Sequence, residues 1–181
     1  MEVSTFRVVK YDPATNRFSR MRARLPGPLN SWPERKNTDG SFFVFDQHGH
    51  FSRFFPEEDR VEPLGRNWRE GRWIENMELS SDGRYLYYVA DSTRGQEVGM
   101  PLVQYDTETG VKKVNAFLSD FYLRNHGFGM RAVYGLGLSE DDSSAFIVAN
   151  GRPAASRAEA GYGEIAMVHV HIPPAERQVV D

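Results

Sequence analysis

The chain has 181 residues, 40% of them hydrophobic and 13% aromatic, and this length and composition argue against disorder and for one domain with its own core. A net charge of −3 excludes a general attraction to nucleic acid or to an anionic membrane. The absence of cysteine excludes disulfide bonds, thiolate catalysis and cysteine-based metal sites.

The N-terminal residues carry no export signal. No basic segment followed by an apolar run opens the chain, and no stretch of about 18 apolar residues occurs in it. We therefore expect neither a signal peptide nor a transmembrane segment, and the cytoplasm is the default compartment. If the sequence is a piece of a longer protein, its first residues say nothing about export, and a periplasmic location is the alternative.

The first predicted element is a leading β-hairpin at residues 6–24. Strand-like runs at 6–11 and 18–24 flank the segment 12–17, which contains Asp, Pro, Thr and Asn. These residue types fix φ, tolerate positive φ or bond to their own backbone, so the segment is predicted to be a tight turn.

Two predicted four-stranded units follow, at residues 30–64 and 74–118. Both have the order strand a, Asp-Gly turn, strand b, connection, strand c, tight turn, strand d, and their Asp-Gly turns contain Asp39 and Asp82. The second unit has strands at 74–79, 85–90, 102–105 and 111–117. The first has strands at 42–46, 51–54 and 61–64, with a weak strand a near Trp32.

A partial unit is predicted at residues 134–172, with strands at 134–138, 145–149 and 165–171 and no evident fourth strand. Its first turn has Asp141-Asp142 where the other units have Asp-Gly. Helical periodicity is weak, and only 119–126 and 154–160 allow short helical turns.

Antiparallel units of about 40 to 50 residues with tight a–b and c–d turns are typical of β-propeller blades. Residues 79–87 and 103–110 resemble the "S-P-D-G-x-x-L-Y … Y-D-x-x-T-G" pattern of the WD40-like (TolB-type, PD40) bacterial propellers. Ser81 stands where the pattern has Pro. The resemblance implies an all-β fold of four-stranded antiparallel blades. It is nearly silent on activity, because these propellers host binding, lyase, lactonase and peptidase-associated roles.

The strands amount to about three to four blades, whereas propellers of this family commonly close with more. We therefore predict that residues 1–181 form a propeller domain or a segment of a larger propeller. The alternatives are an open arc that pairs with a second copy, and a small closed ring. An open arc would expose sheet edges, so self-association through open blade edges is expected.

Long predicted connections lie at 26–38, 65–73, 91–101, 119–133 and 150–163, and the d–a and b–c connections of a propeller share one face, here called the mouth. With the connection at 46–50 they hold ten basic and seven acidic residues. This excess favours an anionic small molecule, and a protein partner is also possible. The predicted ligand-binding residues are Arg94, Arg131, Tyr134 and Arg152. Solvated loop charges would give the same excess.

Histidines suggest two weaker possibilities. Asp46, His48 and His50 alternate, as do His169 and His171, and imidazole with carboxylate suits Zn²⁺, Mn²⁺ or Fe²⁺. A type I′ turn over 46–49 and a terminal strand with one open face explain the same patterns. A predicted mouth loop contains His126, which is a candidate for acid–base catalysis because histidine titrates near neutral pH.

Residues 86–92 are similar to the "L-Y-V-A-D-S" stretch of the gluconolactonase/SMP-30 propellers. The resemblance implies that Asp91 is a metal-site acid or base, that Glu75 and Asn76 stand near the position of that family's Asn, and that a divalent metal is the cofactor. The match is partial, because the spacing from Asn76 to Asp82 differs by one residue from that family's.

Two functional classes therefore remain open. The first is a binding or interaction scaffold without chemistry of its own. The second is part of a metal-dependent lactonase or lyase that acts on a sugar acid. The motifs G-x-S-x-G and H-E-x-x-H are absent from the sequence, as is a phosphate-binding glycine loop.

Overall fold

The computed structural model describes residues 6–33, 35–68, 74, 76–90, 99–153 and 163–177. These residues form strands β1 (Phe6–Asp12), β2 (Arg17–Leu25), β3 (Leu29–Ser31), β4 (Phe42–Asp46), β5 (His50–Phe55), β6 (Arg60–Arg66), β7 (Met77–Leu79), β8 (Tyr85–Val89), β9 (Pro101–Asp106), β10 (Lys112–Phe117), β11 (Phe128–Leu138), β12 (Ser144–Pro153) and β13 (Glu164–His171), with helix α1 (Leu118–His126) and a short 3₁₀ helix at Pro174–Glu176. Within the described part, no helix is long and apolar enough to cross a membrane.

The strands pair into four antiparallel sheets. The leading hairpin is β1–β2, blade 1 is β3–β6 in sequence order, and blade 2 is β7–β10 in the same order. Blade 3 contains β11, β12 and β13, and the described residues provide it with no fourth strand. The predicted all-β fold of propeller blades is confirmed, and the number of sheets fits three to four blades.

Strand boundaries differ from those expected in all three blades: in blade 2 the first strand is Met77–Leu79 rather than 74–79, and in blade 3 the second strand continues to Pro153 rather than ending at 149. The first strand of blade 1 is Leu29–Ser31, ahead of Trp32, so residues 32–41 are an a–b connection on the face opposite the mouth. The prediction of one mouth loop over 26–38 is therefore wrong, and the charges of Arg35 and Lys36 do not belong to the mouth. In blade 3, β11 begins at Phe128 rather than Tyr134, because the strand continues through two β-bulges.

Aromatic rings fill the space between blades 1 and 2. The Phe45 and Phe51 rings stack with centroids 4.4 Å apart, Tyr88 from blade 2 lies 5.1 Å from Phe45, and Tyr105 meets Phe51 edge-on at 4.7 Å. All four residues are almost fully buried. Residues on both faces of the b strands are covered, which explains why β4 and β8 are apolar runs without alternation.

A second apolar layer joins blades 2 and 3. It contains Val89, Met100 and Leu102 from blade 2, together with Met130, Val133 and Ile147 from blade 3. Leu118, the first residue of α1, is 1% exposed and belongs to the same layer. The helix is therefore anchored at its N-terminus to the junction between these two blades.

Two turn aspartates bind across sheet junctions. Asp59 has a φ of +52° and accepts hydrogen bonds from the Arg22 N–H at 2.7 Å and the Ala23 N–H at 2.8 Å, which ties the leading hairpin to blade 1. Asp142 has a φ of +57° and accepts hydrogen bonds from the N–H and hydroxyl of Ser81 at 2.9 and 2.6 Å. Each carboxylate therefore satisfies donors of the neighbouring sheet.

The a–b turn of blade 3 contains Asp-Asp where the other two blades have Asp-Gly, and the structure explains the difference. Asp142 occupies the left-handed backbone position that Gly40 and Gly83 occupy in the other two blades, with φ values of +79° and +74°. A non-glycine residue in this conformation is uncommon, although Asp tolerates it best after Asn. The side chain gained at this position binds blade 2 through Ser81.

The residues after β13 cross back to blade 2 instead of forming an outer strand. The Gln104 side-chain amide donates to the Arg177 carbonyl at 2.7 Å, and Lys113 Nζ donates to the carbonyl and carboxylate of Glu176 at 2.6 and 2.8 Å. Arg177 Nη1 donates to the Asp141 carbonyl at 3.1 Å. This crossing segment, residues 172–177, therefore holds blades 2 and 3 together.

We predict that Asp59→Asn loosens the leading hairpin. The N–H groups of Ala23 and Arg22 hold the pKa of Asp59 below its ordinary value, so the ionised carboxylate stabilises the junction at neutral pH. That contribution is lost as the pH falls below about 4 and through the lowered folded-state pKa. In the variant, trypsin should cut within residues 17–24 faster at pH 7.

The matched control is Asp82→Asn, because the hydrogen bonds of Asp82 to described residues lie within its own turn, to Ser80 and Arg84. An equal increase in hairpin cleavage for both variants would contradict the junction role of Asp59.

Candidate functional site

Helix α1 continues directly from the outer strand of blade 2 on the mouth face. Gly127 ends it in the left-handed conformation with a φ of +62°, and its N–H donates to the Leu123 carbonyl at 3.1 Å. Asp120 lies in the first turn and Arg124 in the last, so both charges complement the helix dipole. The predicted helical turn at 119–126 is therefore confirmed as a full helix.

A cavity of about 440 Å³ lies between α1, the end of β10 and the end of β13. We call it the helix cavity; its wall includes Asn115, Phe117, Phe121, Tyr122, Val170 and His171. The Tyr122 hydroxyl donates to the His169 carbonyl at 3.2 Å, which holds the helix beside β13. Burial raises the pKa of Tyr122, so this hydroxyl remains a protonated donor at physiological pH.

The helix cavity is mainly apolar. Phe117 and Phe121 are 44% and 52% exposed, and Leu123 on the same helix is also exposed. Exposed apolar residues are usually scattered singly over a surface, so three of them within seven residues are unusual. None of the described residues that line it is a carboxylate, a lysine or an arginine. The Asn115 side-chain oxygen has no hydrogen-bond partner in the described part of the chain. The cavity can therefore hold an apolar side chain.

His126, the predicted acid–base residue, lies in the last turn of α1 rather than in an irregular loop. Its ring is 5.2 Å from the Tyr122 ring and 5.9 Å from the Phe121 ring, measured between centroids. It therefore contributes to the aromatic surface of the helix.

Arg131 and Tyr134 are each the extra residue of a β-bulge in β11. The register shifts by one residue at each of them: Met130 and Ala132 face the consecutive residues Gly151 and Asn150, and Val133 and Gly135 face Ala149 and Val148. Bulges redirect side chains and are common beside functional sites. The Asn150 amide donates to the Tyr134 hydroxyl at 3.4 Å.

Arg152 lies in β12 opposite Gly129, so β11 and β12 hold three of the four predicted anion ligands. Arg94, the fourth, lies outside the described residues. Their joint action as an anion site stays a prediction.

Asp46 organises the turn between β4 and β5. One carboxylate oxygen accepts the N–H groups of His48 and His50 at 2.8 and 2.9 Å, and the other lies 2.7 Å from His50 Nδ1. The prediction of a type I′ turn is wrong, because Gly49 alone in this turn has a positive φ, +76°. The Asp46 side chain is 3% exposed and is occupied by these local bonds.

No group of three or more His, Asp or Glu residues that could hold a metal ion occurs among the described residues. Asp91 and Glu75 lie outside them, whereas Asn76 precedes β7. The His169 ring stacks on Phe146 at 5.1 Å and its Nε2 lies 2.9 Å from the Ser144 hydroxyl. The expectation of a divalent metal at Asp91 therefore stays a prediction.

The sequence did not single out the helix cavity. Phe117 and Phe121 are spaced by four residues, as are Leu118 and Tyr122, and this spacing was the available signal for two neighbouring positions on a helix. The opposite wall comes from β13, whose position beside α1 depends on how the sheets pack.

No family model matches this sequence, and no curated protein sequence matches it either. Solved structures do match. They include Kuenenia stuttgartiensis hydrazine synthase, with 12% identity over 92% of this chain and 44% of that one and a TM-score of 0.54. A candidate 6-phosphogluconolactonase from Bacteroides uniformis has 11% identity over 94% of this chain and 48% of that one, with a TM-score of 0.55.

A structure of YCF48 bound to D1 peptide also matches, with 13% identity over 80% of this chain and 41% of that one and a TM-score of 0.51. The chain thus spans less than half the length of these three proteins. At such identities the likeness shows the fold alone, a β-propeller. Membership of the TolB/PD40 family in particular stays a prediction.

We predict that Gly27→Ala destabilises the protein. A Cβ atom at this position would lie 2.6 Å from Asp46 Oδ2 and 2.8 Å from His48 Cδ2, so the bonded turn would have to move. Such overpacking costs about 1–3 kcal/mol in the free energy of unfolding, measured by urea denaturation.

Gly137→Ala is the control, because a Cβ atom there meets nothing within 4 Å. Equal effects of the two substitutions would show that the Asp46 turn is not rigid.

Proposed function

We propose that this chain is a β-propeller scaffold that binds a protein partner, and that an apolar side chain of an extended segment of the partner enters the helix cavity. The observation that carries this proposal is the cavity itself, about 440 Å³ in volume and bordered by the exposed rings of Phe117 and Phe121. Exposed apolar clusters around a concavity are typical of interaction sites.

The neighbouring strand favours an extended segment. Among the described residues β13 is the last strand of blade 3, and the His169 carbonyl points away from β12, since it accepts the Tyr122 hydroxyl. In an antiparallel strand the backbone groups of alternate residues point the same way, so Ile165 and Met167 should also direct theirs outward. A peptide could pair with these groups by strand addition. The similar structure of YCF48 has a peptide bound, which is consistent with a peptide as the ligand.

The earlier expectation of an anionic small molecule concerns a different place, the mouth ends of β11 and β12. Its support is the presence of Arg131 and Arg152 on these neighbouring strands, with Arg131 on a bulge. The described lining of the helix cavity has no lysine or arginine, so it offers no guanidinium contacts of the kind that Arg131 and Arg152 could supply.

A metal-dependent lactonase or lyase is the second candidate function. Its support is the similarity to the candidate 6-phosphogluconolactonase and the partial sequence resemblance around Asp91. If it holds, the purified protein should hydrolyse a sugar lactone, and both EDTA and Asp91→Ala should abolish the hydrolysis. Lactone hydrolysis unaffected by either treatment, or none in the presence of added Mn²⁺ or Zn²⁺, would remove this candidate.

The peptide-binding proposal is tested by filling the cavity. Peptides are selected from a random phage library on the immobilised protein, and the best of them is synthesised. Ala116 lines the cavity, so Ala116→Trp should weaken binding of this peptide at least about tenfold, which corresponds to 1.4 kcal/mol. Fluorescence anisotropy measures the dissociation constants.

The control is Ala14→Trp, which adds the same indole side chain at an exposed turn and should leave the affinity unchanged. A selected peptide that binds both variants equally well would place the interaction elsewhere and contradict the proposal.

A further inference from the structure

We propose that the junction between the leading hairpin and blade 1 binds a small organic anion, in which a carboxylate or phosphate group is joined to an apolar body. The site is a second cavity of about 370 Å³, which we call the hairpin cavity, and its volume is in the range of small-molecule sites. The proposal goes beyond the proposed function, because the described residues that line this cavity are all different from those of the helix cavity.

Three strands supply the polar groups of the hairpin cavity. Arg24 comes from β2, His50 is the first residue of β5, and Arg66 is the last residue of β6. The Arg22 N–H donates to Asp59 of blade 1 at 2.7 Å, so the backbone that carries Arg24 is already held against blade 1. A site that is ordered in this way loses less conformational entropy when a ligand binds.

Arg66 and His50 face each other across the pairing of β5 with β6. Residues directly opposite in an antiparallel pair have Cβ atoms about 5 Å apart and lie on the same face of the sheet. Arg60, at the other end of β6, forms salt bridges with Glu58 and Glu62 at 3.0 and 3.1 Å. Arg66 has no salt bridge with any of the described residues. Its guanidinium group therefore retains donors for a ligand.

Asp46 fixes the orientation of the His50 ring. The Asp46 carboxylate lies 2.7 Å from His50 Nδ1 and also accepts the His50 N–H at 2.9 Å. Because a carboxylate accepts hydrogen bonds, Nδ1 is the donor, and Nε2 is the ring nitrogen that remains for a ligand. Nε2 accepts a hydrogen bond from a hydroxyl group when the ring is neutral, and it donates one to an anion when the ring is protonated. The ring is 32% exposed, so a ligand in the cavity can contact it.

An irregularity in the pairing of β5 with β6 lies in the wall of the cavity. Phe51 faces Gly65, whereas the next residue, Ser52, faces Pro63. β6 therefore has one extra residue at this point, two positions before Arg66. Such a bulge bends the strand and redirects the side chains near it, and bulges are common beside functional sites.

The lining favours an anion with an apolar body. Arg24 and Arg66 line the same cavity, and none of the described residues that line it has a carboxylate side chain. An anion between the two guanidinium groups would reduce their mutual repulsion and accept charge-assisted hydrogen bonds. Pro26, Val61 and Pro63 provide apolar wall beside these groups, which suits an aromatic or aliphatic body.

Nuclear magnetic resonance titration of the isotope-labelled 181-residue chain tests the proposal. The ligands are phenyl phosphate, benzoate and the neutral benzyl alcohol, which share one ring. The anions should shift the His50 and Arg66 signals in a saturable way, and the one that binds more tightly identifies the preferred charged group. Benzyl alcohol should bind at least about tenfold more weakly, because it cannot form charge-assisted hydrogen bonds with arginine.

Substitution of the arginines tests their role in the site. Arg66→Gln removes one guanidinium group and should raise the dissociation constant of the anion at least about tenfold. Arg24→Gln should also weaken binding. The control is Arg17→Gln, which removes the same charge from the same hairpin outside the cavity wall and should leave the dissociation constant unchanged. Urea denaturation midpoints equal to that of the wild type show that the variants are folded.

Several outcomes would overturn the proposal. They are the absence of saturable shifts at His50 with both anions, equal binding of benzyl alcohol, and equal affinities of Arg66→Gln and Arg17→Gln. Shifts confined to the helix cavity, or to β11 and β12, would place the anion elsewhere and also overturn it. Ala116→Trp fills the helix cavity and should leave anion binding unchanged, so a failure of this proposal is distinguishable from a failure of peptide binding.

Discussion

Each blade of this protein is apolar on both of its faces, and the structure depends on covering both. A single sheet of this kind cannot be stable in water, because burial of apolar surface supplies most of the favourable free energy of folding. Blades 1 and 2 meet this requirement with the stacked rings of Phe45, Phe51 and Tyr88, and blades 2 and 3 with an aliphatic layer. On the other face of blade 3, Phe146, Ile165 and Met167 are exposed in the described part of the chain.

The central strands of the blades could be predicted from sequence because their signals are local. Residues 42–46 and 85–89 are apolar runs that follow an Asp-Gly turn, and the structure has β4 and β8 at these positions. The strand a of blade 1 was misplaced because three residues, Leu29–Ser31, provide too short a pattern. The start of β11 was missed because each bulge breaks the alternation of inward and outward side chains on which strand prediction depends.

The site was less predictable than the fold. Arg131 and Tyr134 are residue types suited to an anion, but the bulges that hold them cannot be predicted from the sequence. The helix cavity has one wall from residues 115–122 and the other from residues 169–171, so it exists only after blades 2 and 3 have packed. The turn aspartates show the same difference between local contacts, which the sequence predicts, and distant contacts, which it does not. Asp82 bonds within its own turn, as the motif suggests, whereas the partner of Asp142 is 61 residues away.

The crossing segment also bears on the order in which the chain folds. Gln104 and Arg177 are 73 residues apart in sequence, and Lys113 and Glu176 are 63 apart. Contacts of such high sequence separation slow folding, because the loop must close before the contact is formed. During synthesis on the ribosome, blade 2 would therefore wait, with one face incompletely covered, until the last residues of the described chain had emerged. That interval is when the apolar strands of blade 2 are most exposed to aggregation and to capture by chaperones.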